Sequence, residues 1–218
     1  KTVLVATSGD TGAAVASGFH KVKGINVFIL FPKGRISKVQ EKQITSFSGN
    51  IYPVEVEGSF DECQKMVKDA LTDTDLRSKF NFTTANSINI SRWIPQILYY
   101  FFAYKEVAVK HKNIAFSIPS GNFGNFFSCL VAIGMGIPVK YVIASNNRND
   151  TFKKFIESNC YIPQRSVRTI SSAMDVGDPS NFIRVSEYFL NDIKKINKII
   201  SAYTFSDKET QTAINELN

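Results

Sequence analysis

Residues 114–132 read Ile-Ala-Phe-Ser-Ile-Pro-Ser-Gly-Asn-Phe-Gly-Asn-Phe-Phe-Ser-Cys-Leu-Val-Ala. An apolar run over 113–118 ends at Pro119, and an apolar run of helix length covers 126–135. A glycine loop between a strand and a helix aims several backbone N–H groups at one point, where the helix N-terminus adds partial positive charge. The pattern therefore favours phosphate binding, although any α/β protein also needs glycines where a strand turns into a helix. The loop is Ser120-Gly121-Asn122-Phe123-Gly124-Asn125.

A second pattern of the same kind lies near the start of the chain. An apolar run over 3–6 is followed by the loop Thr7-Ser8-Gly9-Asp10-Thr11-Gly12 and by an alanine-rich helical run over 13–19. This loop can also hold an anion at a helix N-terminus, but Asp10 would repel a bare phosphate. The carboxylate of an amino acid is the more suitable ligand, because Asp10 could then face the ammonium group of the same amino acid. The alternative is that Asp10 and Thr11 only cap the helix.

The remaining pattern predicts the fold class. Short apolar runs typical of buried strands alternate with amphipathic helices, which indicates an α/β fold with mainly parallel sheets flanked by helices in three layers. The helix over 93–109 is rich in aromatic residues, and we expect it to be buried between other elements. Further strands are predicted at 26–31, 51–56 and 139–144, and further helices at 37–46, 59–71, 151–157, 181–190 and 207–217.

A polar cluster precedes the aromatic-rich helix. Residues 85–92 contain two asparagines, two serines and Arg92. Neutral donors beside one fork-shaped guanidinium suit a bound phosphate group. The alternative is a capping segment in which Arg92 makes an ordinary surface ion pair. A boundary between two sub-domains is predicted around 85–93.

Composition limits the classes of function. The 218 residues are 44% hydrophobic and 21% charged, as in ordinary globular proteins. Cys63, Cys129 and Cys160 are widely spaced and odd in number, which argues against a disulfide framework and a metal site. The formal charge of +7 comes from scattered lysines, so no nucleic-acid partner is expected. No apolar run approaches the ~20 residues that a membrane span needs, so no membrane partner is expected. The cysteine pattern predicts a reducing, cytoplasmic location. Because the chain begins on an apolar strand, we expect a fragment, incomplete at both ends.

Four stretches in order, 7–12, 85–92, 119–125 and 173–182, resemble the signature motifs of threonine synthases, in the microbial branch of the fold type II pyridoxal-phosphate enzymes. Segments 146–150 and 206–210 resemble that family too. The resemblance implies the fold type II architecture, pyridoxal 5'-phosphate as cofactor, and conversion of the small molecule O-phosphohomoserine and water to threonine and phosphate. It makes 1–90 a smaller substrate-loop sub-domain and 91–218 part of the larger cofactor-phosphate-binding sub-domain.

The resemblance also implies roles for individual residues. The cofactor phosphate would be held by Gly121, Asn122, Phe123, Gly124 and Asn125. The substrate would be held by Ser8, Gly9, Asp10, Thr11, Asn86, Ser87, Ser91 and Arg92.

One departure from the family affects catalysis. In that family, the lysine that forms the Schiff base with the cofactor lies in a Phe-Lys-Asp motif. Nothing in this sequence matches that motif. The family's polar residue facing the pyridine nitrogen has no counterpart either. No catalytic residue is therefore assigned, and we expect these 218 residues alone to be inactive.

Two rival functions remain. One is another fold type II lyase or dehydratase of amino acids, against which the Arg92 cluster argues, since a substrate without phosphate needs no second anion site. The other is a catalytically inactive phosphate-binding module.

Overall fold

The computed structural model describes residues 1–217, and the chain divides into two compact units, Lys1–Asn89 and Ile90–Asn218. Asn218, the last residue of the predicted sub-domain 91–218, lies outside the described residues. The assignment of substrate and cofactor phosphate to the two sub-domains stays a prediction.

The first unit is built on a parallel sheet. Its strands follow the order β3-β2-β1-β4, and every neighbouring pair is parallel. Val5 and Ile29 are fully buried, together with Ile44 from a covering helix, because helices flank the sheet. The elements are β1 (Thr2–Ala6), α1 (Asp10–Phe19), β2 (Asn26–Pro32), α2 (Lys38–Thr45), β3 (Ile51–Val56), α3 (Phe60–Thr72), α4 (Thr74–Lys79) and β4 (Phe82–Thr84).

The second unit holds a separate parallel sheet, with the strand order β5-β6-β7. Its core is aromatic: the Phe123 ring centroid lies 5.3 Å from that of Phe126 and 4.4 Å from that of Phe152. Residues 172–174 form a single 3-10 turn. The elements are α5 (Ile90–Ala108), β5 (Ala115–Pro119), α6 (Gly124–Gly134), β6 (Tyr141–Asn146), α7 (Thr151–Ser158), α8 (Phe182–Tyr188), α9 (Ile193–Ile199), β7 (Ile200–Thr204) and α10 (Asp207–Leu217).

The predicted fold class is confirmed, since parallel strands alternate with flanking helices in both units. Sequence patterns missed α4, β4, α9 and β7. Strand β4 is three residues long, too short for a periodic pattern. Helix α9 continues at Ile199 directly into β7 at Ile200, with neither glycine nor proline to mark the boundary.

The prediction that the aromatic-rich helix is buried between elements is wrong. Helix α5 starts at Ile90, and its side chains Tyr99 and Phe102 are 66% and 65% exposed. Trp93 and Ile97 are buried, and Tyr100, Phe101 and Tyr104 are partly buried against the same cluster. Aromatic content was therefore a poorer guide to burial than helical position. Among the helices of residues 1–217, none combines the length and the apolar character that crossing a bilayer requires.

Candidate functional site

Both glycine loops lie where the sequence predicted them. Residues 7–9 connect the carboxyl end of β1 to α1, and residues 120–123 connect the carboxyl end of β5 to α6. Each preceding strand is parallel to its neighbours. In open α/β sheets, ligands bind in the crevice outside the carboxyl ends of the strands. The predicted architecture of these two connections is confirmed.

The loop before α6 is anchored by one aromatic residue. Phe123 has a φ of 59°, in the left-handed region that costs a residue with a Cβ about 1–2 kcal/mol. Its side chain is 1% exposed and packs into the aromatic core, which offsets that strain. Since the ring is buried, the backbone of Phe123 is the part that can meet a ligand.

The N–H groups of this loop form the candidate anion site. Within the described residues 1–217, the backbone N–H groups of Gly121, Phe123, Gly124 and Asn125 donate to no acceptor. They lie at the N-terminus of α6, where the helix dipole favours negative charge. We name the segment that carries these four N–H donors, residues 121–125, the phosphate cradle.

The Asn125 side chain holds the loop together. Its Oδ1 accepts from Ser120 Oγ and from the Phe126 N–H, both at 2.9 Å, and its Nδ2 donates to Pro119 O at 2.8 Å. Tyr100 Oη donates to the Asn125 carbonyl at 2.8 Å. Asn125 thus serves the cradle through its backbone N–H, while its amide group maintains the loop.

Two further contacts fix the cradle from outside. Asn122 Oδ1 accepts from the Ser180 N–H at 2.5 Å, and Asn181 Nδ2 donates to Asn122 O at 2.8 Å. A Cβ on Gly121 would stand 2.8 Å from Met174 Cα, so only glycine fits where these two backbones meet. Open N–H donors, a helix N-terminus and a glycine-limited wall fit a phosphate group.

The first-unit loop is organised by Thr7, which the sequence analysis did not select. Thr7 is 1% exposed, and its Oγ1 accepts from the N–H groups of Gly9 and Gly12, both at 2.9 Å. In residues 1–217 the N–H groups of Ser8, Asp10 and Thr11 donate to no acceptor. This loop therefore also presents open donors at a helix N-terminus.

Asp10 does not act as a helix cap. It is the first residue of α1, and the cap position is Gly9, with a φ of 145°. Asp10 Oδ1 accepts from Gln40 Nε2 at 2.8 Å. Its other oxygen has no partner among residues 1–217 and can face an ammonium group.

The asparagine of the polar cluster lies beside the first loop. Asn86 is 4% exposed; its Oδ1 accepts from the Ala6 N–H at 2.8 Å, and its Nδ2 donates to Ala6 O at 2.5 Å. Thr84 Oγ1 donates to the same Oδ1 at 3.2 Å. Asn86 thereby extends the pairing of β1 and β4 with its side chain. The contact brings it to the carboxyl end of β1, next to residues 7–12.

The rest of the cluster spans the division between the units. Ser87 is half-buried in the first unit. In the second unit Ser91 is exposed, and Arg92 is half-buried in the first turn of α5. Burial lowers the pKa of the Arg92 guanidinium from its ordinary value, but arginine stays charged in proteins. Arg92 therefore remains a cation suited to an anionic group.

A buried polar network near the end of β6 escaped the sequence analysis. Asn147 Nδ2 donates to Thr169 Oγ1 and to Asp175 Oδ1, both at 2.8 Å, and Asn147 Oδ1 accepts from Asn149. The partners lie up to 28 residues apart in sequence. The resemblance of segments 146–150 and 173–182 to family motifs indicated that this region matters, but not which side chains bond to each other.

Comparisons with known proteins agree with the geometry. The family described as pyridoxal-phosphate dependent enzyme matches residues 1–218. The chain is 46% identical over 217 residues to a threonine synthase of Buchnera aphidicola subsp. Baizongia pistaciae, which covers 99% of this chain and 50% of that protein. The chain thus spans about half the length of the curated relatives it matches.

Solved structures give the same result. The crystal structure of threonine synthase from Escherichia coli superposes with a TM-score of 0.93 at 41% identity, over 99% of this chain and 50% of that one. The pyridoxal-phosphate-bound threonine synthase of Brucella melitensis gives a TM-score of 0.81 at 32% identity, over 99% and 52%.

Proposed function

Because the chain belongs to the family of pyridoxal-phosphate dependent enzymes, we propose that its complete natural polypeptide is a threonine synthase in which the phosphate cradle holds the cofactor. The reaction is the conversion of O-phosphohomoserine and water to threonine and phosphate. The observation that carries the proposal is the set of open N–H groups of Gly121, Phe123, Gly124 and Asn125 at the N-terminus of α6.

The cradle suits a phosphate that stays bound. It consists of backbone donors held by Asn125, Ser180 and Met174, so binding a phosphate requires little reorganisation. The loop 119–125 contains no lysine or arginine, which leaves the helix dipole and the N–H groups as the source of attraction. Pyridoxal phosphate, when bound, supplies an electron sink that stabilises a carbanion.

The substrate would be held by the two remaining motifs. The open N–H groups of Ser8, Asp10 and Thr11 suit the amino-acid carboxylate, and Asp10 suits its ammonium group. Gly9 permits the turn that presents them.

The phosphate of the substrate would be bound by the polar cluster. We assign this role to Arg92, which makes charge-assisted bonds to phosphate oxygens, and to the donors of Ser87 and Ser91. Asn86 would act mainly by shaping the end of β1, with one remaining amide hydrogen available to the substrate.

The test is product analysis with the complete natural polypeptide. We expect O-phosphohomoserine to yield threonine and inorganic phosphate in equal amounts, dependent on added cofactor, at an ordinary enzyme rate of about 1–10³ s⁻¹. Keto acid formed from serine or threonine, without phosphate release from O-phosphohomoserine, would instead identify a dehydratase. Cofactor binding without any turnover would favour the phosphate-binding module.

A further inference from the structure

Residues 171–177 form the wall on which the phosphate cradle rests. A Cβ on Gly121 would stand 2.8 Å from Met174 Cα and 3.2 Å from Val176 Cγ2, so loop and wall are in direct contact. Within this wall, residues 172–174 form only one 3-10 turn. A turn this short has little stability of its own, so its position depends on contacts made by side chains.

Thr151 Oγ1 donates to Gly177 O at 2.8 Å and the Ser171 N–H donates to Thr169 Oγ1 at 3.1 Å, which holds the two ends of the wall. Asp175 makes the contacts next to Met174. Its Oδ1 accepts from Asn147 Nδ2 at 2.8 Å, from Asn149 Nδ2 at 3.2 Å and from Thr169 Oγ1 at 2.7 Å. Its Oδ2 accepts from the Thr169 N–H at 3.1 Å. Asn147 and Asn149 follow β6 at once, so this carboxylate ties the wall to the carboxyl end of the strand that pairs with β5.

The chemistry of the network requires a carboxylate at position 175. All four groups aimed at it are donors, and no lysine, arginine or histidine among residues 1–217 pairs with it. Burial raises the pKa of Asp175, whereas the hydrogen bonds from Thr169 and Asn147 lower it. An amide at this position would turn an NH2 group toward other donors and leave buried groups unsatisfied.

We propose that Asp175 is a positioning residue for the phosphate cradle: it holds Met174 against Gly121 and so fixes the directions in which the cradle N–H groups point. The inference rests on the proposed function, because it takes the ligand of the cradle to be the cofactor phosphate. Asp175 acts through the wall and not by contact with the ligand.

The test compares two ligands that differ only in the phosphate. Asp175→Asn in the complete natural polypeptide is titrated with pyridoxal 5'-phosphate and with pyridoxal. We expect affinity for the phosphorylated ligand to fall at least about tenfold and affinity for pyridoxal to change less than about twofold, because only the cradle is disturbed. Asp178→Asn is the matched control: Asp178 Oδ1 accepts from Tyr161 Oη at 2.7 Å, a bond an amide oxygen keeps, so both affinities should stay as in wild type.

The outcomes separate this inference from the proposed function. If Asp175→Asn keeps the wild-type preference for the phosphorylated ligand, the inference alone is overturned. Equal losses of affinity for both ligands would also overturn it, because they indicate general damage to the fold. A wild-type protein that binds both ligands equally would overturn the cradle itself.

If Asp175→Asn does not fold, Thr169→Val decides the question. This change removes one donor to Oδ1, together with the oxygen that accepts from Asn147 Nδ2 and from the Ser171 N–H, and it keeps the N–H donor to Oδ2. A smaller but measurable loss of preference for the phosphorylated ligand is expected, and an unchanged preference would overturn the inference.

Discussion

At the scale of single residues, a substitution at Gly121 can test whether the phosphate cradle and the wall are in close contact. We predict that Gly121→Ala destabilises the complete polypeptide by about 1–3 kcal/mol, because the new methyl group would meet the backbone of Met174. Cofactor occupancy, measured by absorbance, should fall with it. Gly18→Ala is the control, since a Cβ there meets nothing within 4 Å, and it should stabilise by about 0.4–1 kcal/mol in urea unfolding. A Gly121→Ala protein as stable and as fully loaded as wild type would contradict the contact.

A substitution at Arg92 can test whether the cofactor phosphate and the substrate phosphate bind at two different sites. Arg92→Ala should leave cofactor absorbance intact and weaken binding of O-phosphohomoserine by about 1.5–3 kcal/mol, the scale of a hydrogen bond to a charged group. The measurement is substrate binding by titration, with exposed Arg77→Ala in α4 as a control that should behave like wild type. An emptied cofactor site with normal substrate affinity would reverse the two roles.

Individual side-chain roles were harder to predict than their positions. The resemblance implied that Asn122 and Asn125 help to hold the cofactor phosphate. The side-chain amide of Asn125, however, bonds within its own loop, and Asn122 Oδ1 accepts from the Ser180 N–H. A short polar side chain can bond either to a ligand or to a nearby backbone, and sequence spacing does not separate the two. The backbone donors, which follow from the loop geometry, were the predictable part.

At the scale of elements, the first loop depends on one hydroxyl. We predict that Thr7→Val destabilises the complete polypeptide by about 1–3 kcal/mol, because the N–H groups of Gly9 and Gly12 lose the oxygen that accepts from both. Thr83→Val in β4 is the control; no hydrogen bond involves its hydroxyl among residues 1–217, and its effect should stay within about 0.5 kcal/mol. Equal stabilities of the two variants in urea would show that Thr7 does not organise the loop.

The predictability of each element followed its packing. Strands β1, β2 and β3 were predicted to within one residue. For β1 and β2 the reason is that continuous apolar runs reflect burial on both faces of a parallel sheet. Strand β3 lies at the edge of the sheet, and Ile51 is its buried residue. Strand β4 could not be predicted, since only three residues pair with β1 and their sequence carries no period. It is held by its pairing with β1, which the side chain of Asn86 extends to Ala6.

At the scale of the whole molecule, each unit has a glycine loop at the carboxyl end of a parallel strand, so the strand–loop–helix arrangement occurs twice. Residues 1–218 as a separate polypeptide should nevertheless release no phosphate from O-phosphohomoserine, because no lysine in them matches the family's cofactor-binding motif. A phosphate-release assay with added cofactor checks this. Turnover near about 1–10³ s⁻¹ would contradict it.

The most direct test of the phosphate cradle is a crystal structure of the complete natural polypeptide with pyridoxal 5'-phosphate bound. We predict phosphate oxygens about 2.7–3.2 Å from the backbone nitrogens of Gly121, Phe123, Gly124 and Asn125. The loop at residues 8–11 should hold no cofactor phosphate. A cofactor phosphate bound at residues 8–11 or at Arg92, with the four cradle N–H groups making no bond to it, would contradict the account.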